Sequence, residues 1–194
     1  TWLYALAFVN GLAIANHMLA SIPLACYLAL LLALVARKQI RSNHVLVMAL
    51  LWIIGALPYE YLIIREIARS GDFWSTMSSA AFGKGYKADV LNTSLSGRIV
   101  KENLMWMALN FPTPNIILAF VGISVLHRAS PKRWFARILL ALLVLFLLFA
   151  FRYTIVDRYA FFIPFYCIVS ILIAVGACSV LDRRRRKTLG RVIV

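Results

Sequence analysis

The sequence predicts an all-α, polytopic integral membrane protein, and three observations predict it. Hydrophobic residues make up 63% of the 194 residues and charged residues only 14%, against roughly 25% charged in soluble domains. Mean hydropathy is +0.85, more apolar surface than a chain of this size can hide from water. The apolar residues also fall in runs near the length of about 20 residues that crosses a hydrocarbon core. Disordered, coiled-coil, collagen-like and disulfide-scaffold classes are excluded by the same figures. Cys26, Cys167 and Cys178 lie inside apolar runs without CxxC spacing and read as small buried apolar residues.

The first run, Trp2 to Ala36, is too long for one untilted crossing. Asn16, His17 and then Pro23 interrupt it, a pattern that predicts two short helices meeting at an angle. The next runs are 45–64, 104–126, 138–151 and 160–181. The run from Leu104 carries Asn110, Pro112, Pro114 and Asn115, so it is expected to kink, entering as an interfacial helix before it crosses. About five to six membrane segments result. The whole chain reads as one transmembrane helical domain, with an external loop over 65–103 containing an interfacial helix and a basic tail over 182–194.

The net charge of +14 would point to nucleic acid in a soluble protein. Here the basic residues cluster between apolar runs, where they set orientation instead, and no nucleic-acid partner is expected. Arg37, Lys38 and Arg41, then Arg128 to Arg137, then Arg183 to Arg191 all fall inside if every crossing alternates. Six of the seven acidic residues then fall outside, all but Asp182. The C-terminus is cytoplasmic in that arrangement. Arg183 to Arg186 anchor the last helix to anionic headgroups. The chain opens at Thr1 inside an apolar run, and is expected to be the C-terminal part of a longer protein.

Several polar residues converge on the outer face. His17, beside Asn16, caps a helix or touches a substrate, since polar residues at membrane depth tend to line cavities. Tyr59, Glu60 and Tyr61 follow Pro58 at a helix end, where tyrosines normally sit in the interfacial belt. Glu60 is expected to pair with Arg65, the alternative being a weak candidate for a base on a substrate hydroxyl. In Arg152-Tyr153-Thr154-Ile155-Val156-Asp157-Arg158-Tyr159 two readings stay open. The arginines flank helix ends and pair with Asp157, or they form a site for an anionic headgroup, because guanidinium suits phosphate bidentately. HExxH, GxSxG, P-loop and metal-spaced His/Asp patterns are lacking.

Phe8-Val9-Asn10-Gly11-Leu12-Ala13-Ile14-Ala15-Asn16-His17 resembles the "GLA…NH" helix break of a bacterial membrane family similar to the animal endoplasmic-reticulum O-mannosyltransferase of plexin-type receptors. Leu57-Pro58-Tyr59-Glu60-Tyr61-Leu62 with Arg65 resembles that family's "LPYxYL" helix end, and Phe82-Gly83 and Gly85-Tyr86 its following loop. Tyr153 to Asp157 with Phe161, Phe162 and Pro164 resembles its "Y-x-x-x-D…F-x-x-P" stretch. The resemblance implies a helical bundle of the GT-C glycosyltransferase superfamily in a bacterial inner membrane. It implies a sugar donor carried on polyprenyl phosphate and a protein or glycan acceptor, with membrane lipids around them. It also implies that the catalytic carboxylate lies in an external loop N-terminal to these residues, so no catalytic residue is expected here beyond the weak candidate Glu60. Asn16, His17, Tyr59, Arg65, Tyr153, Asp157 and Arg158 would line the donor side, with Arg158 or Arg65 on the lipid phosphate. No metal ligand or cofactor is evident. The competing classes are a transporter or flippase subunit, which favours paired broken helices in an internal repeat, and a non-catalytic membrane scaffold.

Overall fold

A computed structural model describes residues 2–92, 94–128, 133–154 and 158–192. Among the described residues all regular structure is helical. Four helices are long and apolar enough to cross a membrane, and a bent helix pair makes a fifth if it counts as one span. The chain is an integral membrane protein of helical type. It divides into two compact units, Thr1–Leu91 and Asn92–Val194.

In the first unit the apolar run does break where the sequence places the polar pair. Helix α1 (Trp2–Asn16) stops, a short 3-10 turn covers Met18–Ala20, and α2 runs Ser21–Ala36. Pro23 sits in the first turn of α2, where its missing N–H has no intrahelical partner to lose. The break is held from a distance by Asn10, which is 7% exposed. Its Nδ2 donates to the Ala20 carbonyl at 3.2 Å, and its Oδ1 accepts from Trp52 Nε1 at 2.9 Å. Asn10→Leu should therefore cost about 1–3 kcal/mol by orphaning the indole N–H and the Ala20 carbonyl. Thermal unfolding of the purified protein in detergent would read this, and an unchanged midpoint would contradict it.

Helix α3 (Ser42–Ser70) is 29 residues long and continues without a break through Pro58. Proline is tolerated inside membrane helices because neighbouring groups re-satisfy the freed carbonyl. Gly71 ends it at φ 69°, its N–H bonded to the Ile67 carbonyl at 2.9 Å, a left-handed cap that glycine adopts without strain. Asp72 then caps α4 (Phe73–Phe82) by accepting from Ser75 N at 2.9 Å. The short α5 covers Lys87–Leu91. Much of the stretch read as an external loop is thus helical.

Helices α1 and α3 run parallel in contact, with Tyr4 against His44 and Asn10 against Trp52. Their crossing is set by two glycines. A Cβ at Gly11 would lie 2.2 Å from the Trp52 carbonyl oxygen, and one at Gly55 would lie 2.4 Å from that of Phe8. Only glycine lets the two backbones approach so closely, the means by which helices associate where lipid supplies no hydrophobic drive. Tyr27 and Leu31 of α2 complete this core with Ala7 and Met48. The Tyr27 hydroxyl donates to the Leu3 carbonyl at 2.9 Å.

The second unit begins with α6 (Gly97–Asn110), capped by the Ser96 side chain accepting from Ile99 N at 3.3 Å. Pro112 and Pro114 stop it, since neither donates a backbone N–H and each disfavours a helical residue before it. A 3-10 turn at Pro114–Ile116 leads into α7 (Ile117–Arg128), bent 93° from α6. That is the kink expected from the sequence. Helices α8 (Arg133–Arg152) and α9 (Ile163–Val192) follow, with a 3-10 turn at Arg158–Phe162 before α9. The α7–α9 crossing repeats the glycine device of the first unit. A Cβ at Gly122 would lie 2.1 Å from the Leu172 carbonyl oxygen, and one at Gly176 would lie 2.0 Å from that of Leu118.

The cysteines differ from expectation. Cys26 is half-buried, whereas Cys167 and Cys178 are exposed, because they lie on helix faces away from the protein's own packing. An apolar thiol on such a face is compatible with lipid as its neighbour.

Candidate functional site

Arg158 carries the most demanding environment among the described residues. It is 9% exposed, at the turn that opens α9. Its Nη2 donates to Glu102 Oε2, and its guanidinium carbon lies 4.9 Å from the centre of the Trp106 ring. A buried cation needs such partners, because its desolvation is expensive when unpaired. The pairing is nonetheless incomplete. Arg158 Nε is buried and has no hydrogen-bond partner, and unsatisfied buried donors of this kind are rare enough to require an explanation.

The residues around Arg158 come from one face of α6. Glu102, Asn103, Trp106 and Asn110 follow helical spacing, which brings residues three and four apart onto a common side. Asn103 is fully buried, and its Nδ2 donates to the Phe151 carbonyl at 2.8 Å. That bond satisfies a carbonyl at the C-terminal end of α8 and fixes α6 over the turn. Asn103 Oδ1 is a second buried atom without a partner. Glu102 also accepts from Arg98 Nε at 2.8 Å, with the Arg98 side chain 87% exposed.

Aromatic rings pack around this cluster. Trp106 meets Tyr159 and Phe162 edge-on, with centroids 6.3 and 6.2 Å apart. Phe162 is fully buried and stacks on Tyr166 at 5.9 Å. Phe111, just past the end of α6, packs against Tyr166 at 5.7 Å. The result is a guanidinium with uncommitted hydrogen-bonding capacity, held against an indole and a carboxylate, where α6 lies across the ends of α8 and α9. Such a group is suited to an anion that has an apolar body attached.

The other residues singled out in the sequence stand differently. Tyr153 is buried, stacked on Phe149 at 5.1 Å and edge-on to Phe161 at 4.4 Å, so its ring is part of the aromatic packing. Asp157 lies outside the described residues, and the carboxylate seen on Arg158 is Glu102. In the first unit Asn16 and His17 are exposed. His17 caps the 3-10 turn, its Nδ1 accepting from Leu19 N at 3.0 Å, which is the capping reading of that residue. The Tyr59 hydroxyl donates to the Ala80 carbonyl at 2.6 Å and ties α4 to α3. Arg65 is exposed on α3.

One expectation is overturned: Glu60 and Arg65 do not form an ion pair. No ion pair joins these two described residues, whereas Arg98–Glu102 and Arg158–Glu102 do pair. The reason is the unbroken helix through Pro58. Five residues at about 100° each turn the two side chains about 140° apart.

Sequence reasoning missed Glu102, Asn103 and Trp106. The signal for them was the spacing of an acid, an amide and an aromatic on one face of the segment before the Pro112 kink. Among the described residues no group of His, Cys, Asp and Glu is placed to hold a metal ion. No known family model, curated protein or solved structure matches the chain.

Proposed function

We propose that this chain is the membrane part of a glycosyltransferase that takes its sugar from a polyprenyl-phosphate donor and passes it to a protein or glycan acceptor. The observation that carries the proposal is Arg158, a buried guanidinium with an unsatisfied Nε against Trp106 and Glu102. A buried ionisable group at the end of a membrane span is costly to desolvate, and strongly perturbed groups of this kind cluster at functional sites. When the glycosidic bond to the donor phosphate breaks, negative charge grows on the leaving phosphate, and a fixed cation there stabilises the transition state. The motif resemblance supplies the reaction class, with the base expected from a loop N-terminal to these residues. Its setting is a bacterial inner membrane, with the C-terminus cytoplasmic by the distribution of basic residues.

Burial favours Arg158 over Arg65 as the phosphate ligand, because the Arg65 side chain is exposed and an exposed charge gains little from an ionic partner. A transporter would carry its helix breaks at corresponding positions of two repeats. Here one break follows α1 in the first unit and the other follows α6 in the second, so the breaks do not separate the two classes, and the variants below do. In the full-length enzyme, Arg158→Ala should lower sugar transfer by roughly 10²–10³, the range for removing one charge-stabilising donor. Arg65→Ala should leave it within about twofold, as for exposed charges. Equal effects of the two variants, or none from Arg158→Ala, would defeat the assignment.

A further inference from the structure

The second unit holds a cleft along α7, lined by none of the residues of the Arg158 cluster, and nothing in the proposed reaction uses it. Its volume is 440 Å³, and Ile117, Phe120, Val121 and Val125 form its apolar wall. Ser179 of α9 and Arg128, in the last turn of α7, lie at its polar end. Ile117 and Phe120 are 61% and 68% exposed. The cleft therefore opens along the helices, as a chain-shaped apolar body requires. Its volume falls in the range of roughly 300–1,000 Å³ typical of ligand sites.

We infer that this cleft binds one anionic phospholipid, with an acyl chain along Ile117, Phe120 and Val121 and the headgroup phosphate on Arg128 and Ser179. Two observations select that occupant. The cleft lies against α9, which is long and apolar enough to cross a membrane, and on α7, which makes a span together with α6, so lipid is the molecule present at its mouth. Its one charged residue is cationic and sits at the helix end, where a headgroup lies. Basic pockets between membrane helices at such an edge favour anionic headgroups. The Ser124 hydroxyl donates to the Phe120 carbonyl at 3.0 Å, which leaves Ser179 as the hydroxyl for the phosphate.

The test is photolabelling of the full-length protein in mixed phosphatidylcholine and phosphatidylglycerol vesicles, with a diazirine on the acyl chain of either lipid. The labelled peptides are then mapped. Label from the phosphatidylglycerol probe should concentrate on 117–128, exceeding the phosphatidylcholine probe about fivefold, which corresponds to about 1 kcal/mol for one arginine. Arg128→Gln should abolish that excess, and Val121→Trp should exclude both probes. Replacing Arg183 to Arg186 by glutamine should leave the excess in place. The inference fails if neither probe labels 117–128, since protein then covers the cleft. It fails equally if the excess disappears with the four arginines and not with Arg128.

Discussion

Gly176→Leu should destabilise the protein by about 3 kcal/mol or more, the upper range for overpacking. The new Cβ would lie 2.0 Å from the Leu118 carbonyl oxygen and 3.1 Å from Gly122 N, both backbone atoms. No side chain can swing aside to make room, so α7 and α9 must separate along their contact. Gly176→Ala should produce a large part of the effect, because the Cβ alone clashes. Gly122→Ala should do the same from the other helix, and the double variant should cost less than the two singles together, since one separation relieves both clashes. Unfolding in sodium dodecyl sulfate mixed micelles measures this. Full additivity, or a Gly176→Leu variant as stable as wild type, would show that the helices do not cross at these glycines.

Asn103→Leu should cost about 1–3 kcal/mol and should also weaken sugar transfer. The amide is fully buried, and its Nδ2 is the donor for the Phe151 carbonyl. Leucine would fill similar volume but leave that carbonyl without a partner in an apolar setting, which carries the desolvation penalty of the group. The functional effect follows from position. Asn103 neighbours Glu102, so loosening α6 displaces both the carboxylate and the Trp106 ring from Arg158. Arg98→Ala, at an exposed site on the same helix, should change neither property appreciably. An Asn103→Leu variant that lost stability but kept full activity would separate α6 from the reaction.

Much of this architecture is legible in the sequence where the cause is local. The Asn16–His17 pair and the Pro112 and Pro114 segment break helices through their own chemistry, and both breaks occur where they stand. Pro58 is also local, yet it leaves α3 unbroken, because in a membrane helix the surroundings and not the proline decide the outcome. What the sequence did not disclose depends on partners far along the chain. Asn10 matters because Trp52 is 42 residues away, and Arg158 is buried because Glu102 comes from a helix 56 residues earlier. The crossing glycines carry no polar signature, and their role emerges only once two helices are in contact. Arg158 was recognisable as an arginine beside an apolar helix. Its incomplete hydrogen bonding, the feature that distinguishes it from a flanking charge, exists only in three dimensions.

The most direct test of the central claim is equilibrium binding of a polyprenyl phosphate to the purified full-length protein and to its Arg158→Gln variant, at matched detergent and salt. Glutamine keeps hydrogen-bonding capacity and removes the charge. The account predicts that Kd rises tenfold or more, the loss of one charge-assisted hydrogen bond of about 1.5–3 kcal/mol, with the unfolding midpoint showing that the variant is folded. Equal affinity of the folded variant and the wild type would contradict a donor phosphate held at Arg158.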